Sequence, residues 1–209
     1  MDKLAYKIKS FSPSFFRLLA TAAGIITITR YGNTVKTVLK QSGRFEAHEN
    51  LLIRPLATED ANLLATFFVE TPDEELLYFK PHGFSEGELV QILRTNSFMN
   101  YGMFIDGKLE GYGLLKISPT GTAYMGRIVS PIWRGHRLGG LWAQFLYWQA
   151  SLAGLTTRAT IKQDNIASIK SHQSIGKYRE IGKLANNHIM IEYPSTPVQK
   201  PQFQLKRRS

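Results

Sequence analysis

Residues 124–152 constrain the fold more than any other stretch, because they predict a strand that runs through a basic, glycine-containing loop directly into a long helix. Ile128 and Val129 end an extended apolar segment, and Pro131 terminates it. Beyond the loop, large apolar residues recur at spacings of three and four, as on one buried face of a helix: Leu138, Leu141, Trp142, Phe145, Trp148 and Leu152.

The loop at this junction, residues 134–140, is a candidate anion site. The first N–H groups of a helix have no partner within the helix and carry a partial positive charge. Glycines let a phosphate approach the backbone, and Arg134 and Arg137 add positive charge. The loop therefore predicts a pyrophosphate site, with ordinary turn chemistry of glycine as the alternative.

The junction resembles the acyl-CoA loop of the GNAT superfamily of acyl-CoA-dependent N-acetyltransferases, which follows the pattern V-x-P-x-x-R-G-x-G-x-G. Five positions of this chain match the pattern: Val129, Pro131, Arg134, Gly135 and Gly139. Arg137 stands where the family carries its middle glycine, which makes the loop similar to the R-G-H-R-L-G variants of the superfamily.

A second stretch, residues 165–176, resembles the family's N-x-x-A/S-x-x-x-Y-x-x-x-G-F helix. Asn165, Ser168 and Gly176 match, while His172 replaces the tyrosine. The resemblance covers residues 50–193. It implies an α/β (α+β) fold with a mostly antiparallel central sheet, two splayed strands and about four flanking helices.

The resemblance also implies acetyl-CoA as the cosubstrate. The backbone of Ile128 and Val129 would pair with the pantetheine arm, and Asn165 would contact the cofactor near its reactive end. The loop residues would hold the pyrophosphate: Arg134, Gly135, His136, Arg137, Leu138, Gly139 and Gly140.

Two histidines are candidates for proton transfer. His82, in the aromatic stretch 77–84, either faces solvent or accepts the amine proton. His172 either protonates the leaving thiolate, which requires a raised pKa, or packs its helix. Residues 123–129 contain no carboxylate, although many members of the family carry a carboxylate base there, so His82, Glu110 or a chain of waters remains for that role.

The expected reaction is acetyl transfer to the primary amine of a small molecule, with an amino sugar as one candidate. The stretch 77–84 predicts a pocket with aromatic walls, and it contains no acidic run that would attract a lysine-rich peptide. Two alternatives stay open: an inactive GNAT-like module that binds acyl-CoA, and an acetyltransferase that acts on protein N-termini or lysines.

The distribution of charge decides which partners are expected. The net charge is +10, but residues 1–48 carry eight Lys/Arg against Asp2 and Glu46, and four basic residues follow Tyr193. The remainder is nearly neutral, so no nucleic-acid partner is expected. The chain has no cysteine, and its five histidines lack metal-ligand spacing, so no metal is expected.

The chain divides into three predicted parts. Residues 1–48 form a basic and apolar extension, predicted to be helical; residues 49–193 form the GNAT-like domain; residues 194–209 form a basic tail without periodicity, expected to be disordered. The apolar run 15–28 is interrupted by Arg17 and is too short to predict a membrane span.

The role of the extension has three alternatives: contact with a membrane surface, packing on the domain, or packing on a second subunit in a homodimer. The expected location is cytoplasmic, with peripheral membrane attachment as the variant.

Shorter elements are predicted from turn signals and alternation. Asp106-Gly107 predicts a hairpin between strands 98–105 and 109–117, and Asn186-Asn187 predicts another near the C-terminus. Ser85 and Glu88 form a capping box before a helix. Residues 43–50 are interpreted as a linker.

Overall fold

The structure, a computed structural model, describes residues 13–48, 50–194 and 198–202. Its helices are α1 Pro13–Ser42, α2 Ala61–Glu70, α3 Asp73–Leu76, α4 Glu86–Arg94, α5 Leu138–Leu152 and α6 Ile166–Gln173. Its strands are β1 Phe45–His48, β2 Leu51–Pro55, β3 Phe98–Ile105, β4 Lys108–Ile117, β5 Thr122–Val129, β6 Thr156–Lys162, β7 Arg179–Leu184 and β8 His188–Glu192.

The strands form one eight-stranded sheet in the order β1-β2-β3-β4-β5-β6-β8-β7. All neighbours are antiparallel except β5 and β6, which are parallel only from Thr122↔Thr156 to Met125↔Ala159. Beyond these pairs the two strands no longer bond to each other, because β5 continues along β4 and β6 continues along β8. The mostly antiparallel sheet and its splayed central strands are therefore confirmed.

The two predicted hairpins are present, and their turns explain why. Asp106 and Gly107 have φ angles of 49° and 80°, and Asn186 and Asn187 have 57° and 60°. Positive φ at both central residues produces the turn twist that joins adjacent antiparallel strands, and Gly, Asn and Asp tolerate it best. The capping box of Ser85 and Glu88 at the start of α4 is also present.

Helices cover both faces of the sheet. On one face α5 buries Trp142, Phe145 and Leu146 against the strands, together with Val35 and Val38 from the second half of α1. On the other face α2 and α4 bury an apolar cluster, including Leu64, Phe67, Phe68 and Leu89. The long helix predicted after the loop is thus the central packing element of the first face.

One local prediction is wrong. The predicted linker at 43–50 contains the strand β1, which pairs with β2. The strand is held in place by Phe45, which is buried against Phe145 with ring centroids 5.8 Å apart. A second short element that was not predicted is the helix α3, which begins after α2 has ended at Glu70. Both elements border the cleft described below.

The terminal segments are only partly described. Of the predicted disordered tail, residues 195–197 and 203–209 lie outside the described residues. Val198 N–H donates to Ser151 Oγ at 3.3 Å, and the Lys200 ammonium lies 5.4 Å from the Phe45 ring centroid. Within the described ranges, none of the helices combines the length and the apolar character that crossing a membrane requires.

Candidate functional site

A cleft of about 1800 Å³ opens where β5 and β6 diverge. Its walls are the end of β5, the loop before α5, the first turn of α5, and α6. On the other side, α3 and the residues that follow it close the cleft with Glu74, Glu75, Tyr78 and Phe79. The two sequence motifs therefore lie on the same cavity.

One edge of β5 faces this opening. Val129 and Ile128 pair with Gly111 and Tyr112 of β4, but the last β5 residue that pairs with β6 is Met125. Backbone groups of residues 126–129 on the β6 side are therefore available to an extended ligand that contains amide groups. Ile128 and Val129, both predicted to bind the cofactor, line the cleft.

The N-terminus of α5 forms the basic end of the cleft. The Gly140 and Leu141 N–H groups donate to Arg137 O at 3.1 and 3.2 Å, so the N–H groups of Leu138 and Gly139 precede the first bonds within the helix. Three basic residues line this end: Arg134, Arg137 and Lys170. Free N–H groups and cations together favour an anion such as phosphate. Lys170, on α6, was not among the binding residues predicted from the sequence.

Arg137 takes a backbone conformation that glycine adopts easily. Its φ angle is 62°, in the left-handed region, and it immediately precedes α5. For a residue with a side chain this conformation costs about 1–2 kcal/mol. A glycine at this position would adopt the same conformation without this cost.

Gly139 and Gly140 serve helix packing as well as access to the backbone. A Cβ on Gly140 would lie 2.9 Å from Ser174 Oγ, and one on Gly139 would lie 3.4 Å from Ser171 Oγ. The absence of side chains lets α6 cross the first turn of α5 closely, which holds the two motifs together.

Arg134 forms an ion pair with Glu75, and so connects the basic loop with α3. The side chains are 62 % and 23 % exposed, and pairs of this kind stabilise a protein by at most about 1 kcal/mol. A phosphate with several oxygen acceptors can therefore displace Glu75 from Arg134.

Two other predicted cofactor residues have local structural roles. His136 does not line the cleft; its Nδ1–H donates to Arg134 O at 3.0 Å and its ring packs on Trp133. Asn165 lines the cleft and caps α6, because its Oδ1 accepts from the Ser168 N–H at 2.9 Å. The predicted contacts of both residues with the cofactor stay predictions.

His172 lies in the cleft wall, and only 2 % of it is exposed. Its Nε2 lies 2.8 Å from Arg127 Nη1, and its Nδ1 lies 2.5 Å from Tyr193 Oη. Because Arg127 can only donate, Nε2 is the acceptor and Nδ1 carries the proton. Burial, followed by the positive charge of Arg127, lowers the pKa of His172 to about 2. The general-acid role requires a raised pKa, whereas this environment lowers the pKa of His172.

His82 lies in an aromatic cluster with Phe68, Phe84 and Tyr112 and does not line the cleft. Its Nδ1–H donates to Gly83 O at 2.7 Å, and its Nε2 lies 3.1 Å from Tyr112 Oη. Burial lowers the pKa of His82. Glu110, the other candidate base, is also buried and outside the lining.

The carboxylates that do line the described cleft are Glu46, Glu74, Glu75 and Asp164. Glu74 and Glu75, on α3, were not among the site residues predicted from the sequence. Among the described residues, no group of three or more His, Asp or Glu side chains is arranged to hold a metal ion.

Comparisons with known proteins identify the fold. No family model and no curated protein sequence matches the chain. Solved structures do match, and the first is the GNAT domain of S. lividans PAT, with 16 % identity, a TM-score of 0.60, and coverage of 68 % of this chain and 89 % of that one. A ribosomal-protein-S5-alanine acetyltransferase from Vibrio fischeri gives 16 % identity and a TM-score of 0.63, over 75 % and 99 % of the two chains.

A third similar structure is the PaiA N-acetyltransferase from Thermoplasma acidophilum in complex with coenzyme A. It has 16 % identity and a TM-score of 0.57, over 68 % of this chain and 97 % of that one. The GNAT-like fold predicted from the two motifs is therefore confirmed, and at these identities the likeness concerns the fold.

Proposed function

We propose that this protein transfers an acetyl group from acetyl-CoA to the primary amine of a small molecule. The observation that carries the proposal is the position of the α5 N-terminus at one end of a cleft that continues between β5 and β6. CoA combines phosphate groups with an extended arm that contains amides, and the cleft offers a partner for each. The similar PaiA structure is a complex with coenzyme A.

The proposed pose follows from these partners. Arg134, Arg137 and the first N–H groups of α5 hold the pyrophosphate, and Lys170 adds a charge for a further phosphate. The free edge of β5 at Ile128 and Val129 pairs with the pantetheine arm. Asn165 at the start of α6 lies on the same cleft.

The acceptor enters from the side of α3 in this proposal. Tyr78 and Phe79 supply an aromatic wall there, and Glu74 and Glu75 supply negative charge. Aromatic faces and carboxylates both attract an ammonium ion, which is the form of most primary amines at neutral pH. The nitrogen must lose a proton to become a nucleophile, so a carboxylate beside the entrance supports amine chemistry.

A protein N-terminus is the second candidate acceptor. The acidic residues of α3 attract any ammonium group, and a similar structure is, by its name, an acetyltransferase of ribosomal protein S5. The sequence argument that no acidic run lies near the aromatic stretch is weakened, because α3 brings Glu74 and Glu75 beside Tyr78. A binding module without activity is the third candidate.

The test is an acceptor screen that follows release of free CoA from acetyl-CoA by the full-length protein. Amino sugars, polyamines, free amino acids and peptides are compared at equal concentration. The proposal expects the highest kcat/KM with a small amine. Preference for peptides would assign the protein-directed reaction, and no turnover with any amine, despite CoA binding, would assign the inactive module.

A companion variant tests the predicted base. His82→Ala removes the imidazole that lies 3.1 Å from Tyr112 Oη. If His82 accepts the amine proton, directly or through Tyr112, kcat falls by a factor of about 100 or more. Undiminished turnover removes His82 from the mechanism and leaves the carboxylates of the cleft or water as the base.

A further inference from the structure

Arg127, on β5, is a cation of the cleft wall that is surrounded by neutral groups. Its Nε–H donates to Gly139 O at 3.1 Å, and its Nη2 donates to Ser171 Oγ at 2.5 Å. Its Nη1 lies 2.8 Å from His172 Nε2 and 3.5 Å from Met125 Sδ. None of these four partners carries a negative charge.

No carboxylate of the described residues forms an ion pair with this guanidinium. The ion pairs of the neighbouring basic residues, such as Arg134 with Glu75 and Arg158 with Glu192, do not include it. Burial lowers the pKa of Arg127 to about 10, so the side chain remains charged at neutral pH. A partly desolvated cation without a counter-ion is unfavourable, and an anionic group that enters the cleft would relieve this cost.

The position of Arg127 indicates which anionic group of a ligand would reach it. The residue lies two positions beyond Met125, the last β5 residue paired with β6, and therefore near the narrow inner end of the opening. Its bond to the Gly139 carbonyl places the guanidinium on the inner side of the first turn of α5, away from the N–H groups that would face phosphates. An inserted pantetheine arm, with its phosphates at the α5 N-terminus, brings its sulfur end towards this point.

We propose that the Arg127 guanidinium stabilises the CoA thiolate as it leaves the thioester, and that His172 is a positioning residue that holds this guanidinium. The proposal rests on the proposed function. The amine lone pair attacks the thioester carbonyl carbon, the C–S bond breaks, and its electron pair stays on sulfur as the thiolate. The new amide nitrogen releases its extra proton to water. The thiolate needs no proton from the protein, since a fixed positive charge is beside it.

The hydrogen bonds of His172 support this division of roles. Its single N–H is directed to Tyr193 Oη, and its free lone pair accepts from Arg127. The ring therefore has no proton to offer to sulfur, but it fixes the plane of the guanidinium, together with Ser171. Preorganised donors of this kind stabilise a developing charge without reorganisation.

The experiment measures the pKa of the CoA thiol bound to the full-length protein. CoA is isotope-labelled at the carbon next to sulfur, and its NMR shift is followed against pH. The wild-type protein is expected to bind CoA with a thiol pKa below that of free CoA. Arg127→Gln is expected to raise it to the free value or above, while Arg127→Lys, which keeps the charge, restores part of the difference.

Two further variants separate this role from a structural one. His172→Gln keeps an acceptor for the guanidinium and is expected to retain the lowered thiol pKa. Arg94→Gln changes an exposed arginine at the end of α4, outside the cleft, and serves as the matched control. In turnover, Arg127→Gln is expected to lower kcat about 100-fold with little change in the KM for acetyl-CoA.

The outcomes are distinct. A wild-type thiol pKa at or above that of free CoA overturns the proposal, even if Arg127→Gln fails to fold. An equal bound-thiol pKa in wild type and Arg127→Gln also overturns it, because a purely structural arginine would not shift this titration. Failure of wild-type protein to bind CoA would contradict the proposed function itself.

Discussion

The backbone of Arg137 is strained. In the sequence this strain is visible only indirectly, because Arg137 stands where the resembled loop pattern has a glycine. Its φ angle of 62° is favourable for glycine and unfavourable for arginine. Arg137→Gly should therefore raise the free energy of unfolding by about 1 kcal/mol, measured by urea denaturation. Gln91→Gly, in an exposed position inside α4, is the matched control and should lower it by about 1 kcal/mol. A loss of stability in both variants would contradict the strain.

His172 should make the protein sensitive to acid. Its pKa is about 2 in the folded protein, first because of burial and second because of Arg127, and about 6.5 in an unfolded chain. Between these values only the unfolded chain binds the proton, so the stability present at neutral pH is lost as the pH falls below about 6.5.

At about pH 4.5 this loss amounts to about 3 kcal/mol. The glutamine of His172→Gln does not titrate. Between neutral pH and pH 4.5 the free energy of unfolding of this variant should therefore fall by about 3 kcal/mol less than that of the wild type. Urea unfolding at the two pH values measures the difference, with His188→Gln as a matched histidine control. An identical loss in wild type and His172→Gln would contradict the assignment.

Arg127 shows why part of the site could not be predicted. In the sequence it is one arginine within an apolar strand, and alternation suggests only that it faces the same side as Met125 and Val129. Its neighbours Gly139, Ser171 and His172 come from two later helices, and only the tertiary packing of those helices creates the cluster. The loop arginines were predictable because motif, turn and helix start are adjacent in sequence.

At the scale of elements, α1 consists of two different halves. Its second half is part of the domain: Val35 and Val38 belong to the core, and Arg30 Nη1 donates to Pro119 O at 2.9 Å. Before Arg30 the helix exposes apolar side chains, namely Leu19, Ile25, Ile26 and Ile28. The helix contains four basic residues and no acidic one, so two copies would repel each other whereas an anionic lipid surface would attract it.

The predicted membrane contact can be tested by co-sedimentation of the full-length protein with vesicles. Partition into vesicles that contain phosphatidylserine should exceed partition into pure phosphatidylcholine. The double variant Ile25→Ser, Ile26→Ser should lower it about tenfold, because each loses burial of an apolar side chain. Val69→Ser, at an exposed apolar position on α2, is the control.

Equal partition of wild type and the double variant would contradict the membrane contact. If the double variant differs from wild type in oligomeric state, measured by light scattering, but not in partition, the exposed apolar side chains of α1 contact a second copy of the chain instead. Substitutions are preferable to truncation before β1, since removal of α1 would also expose the core at Val35 and Val38.

Elements with a local signal were predictable, and elements that depend on distant partners were not. The hairpin at Asp106-Gly107 and the helix α5 that begins at Leu138 follow from adjacent turn residues and periodicity. β1 has only four residues, and its pairing with β2 and burial of Phe45 under α5 are long-range effects. α3 is a single turn with three acidic residues, too short to show a periodic pattern in the sequence.

At the scale of the whole molecule, the divergence of β5 and β6 converts two sequence motifs into one cavity. The motifs predicted which fold the chain adopts through their resemblance to those of the GNAT superfamily. They could not predict that α3 closes the cleft with carboxylates or that Lys170 adds to its basic end, since both depend on how the flanking helices pack.

The central claim is that the basic end of this cleft binds the phosphates of acyl-CoA, and calorimetric titration of acetyl-CoA into the full-length protein tests it most directly. Wild-type protein should show one binding site. Arg134→Ala should weaken binding by about 1–3 kcal/mol through loss of a charge-assisted hydrogen bond, while Glu75→Gln, which removes the competing carboxylate, should not weaken it. No binding of acetyl-CoA, or equal affinity in wild type and Arg134→Ala, would contradict the account.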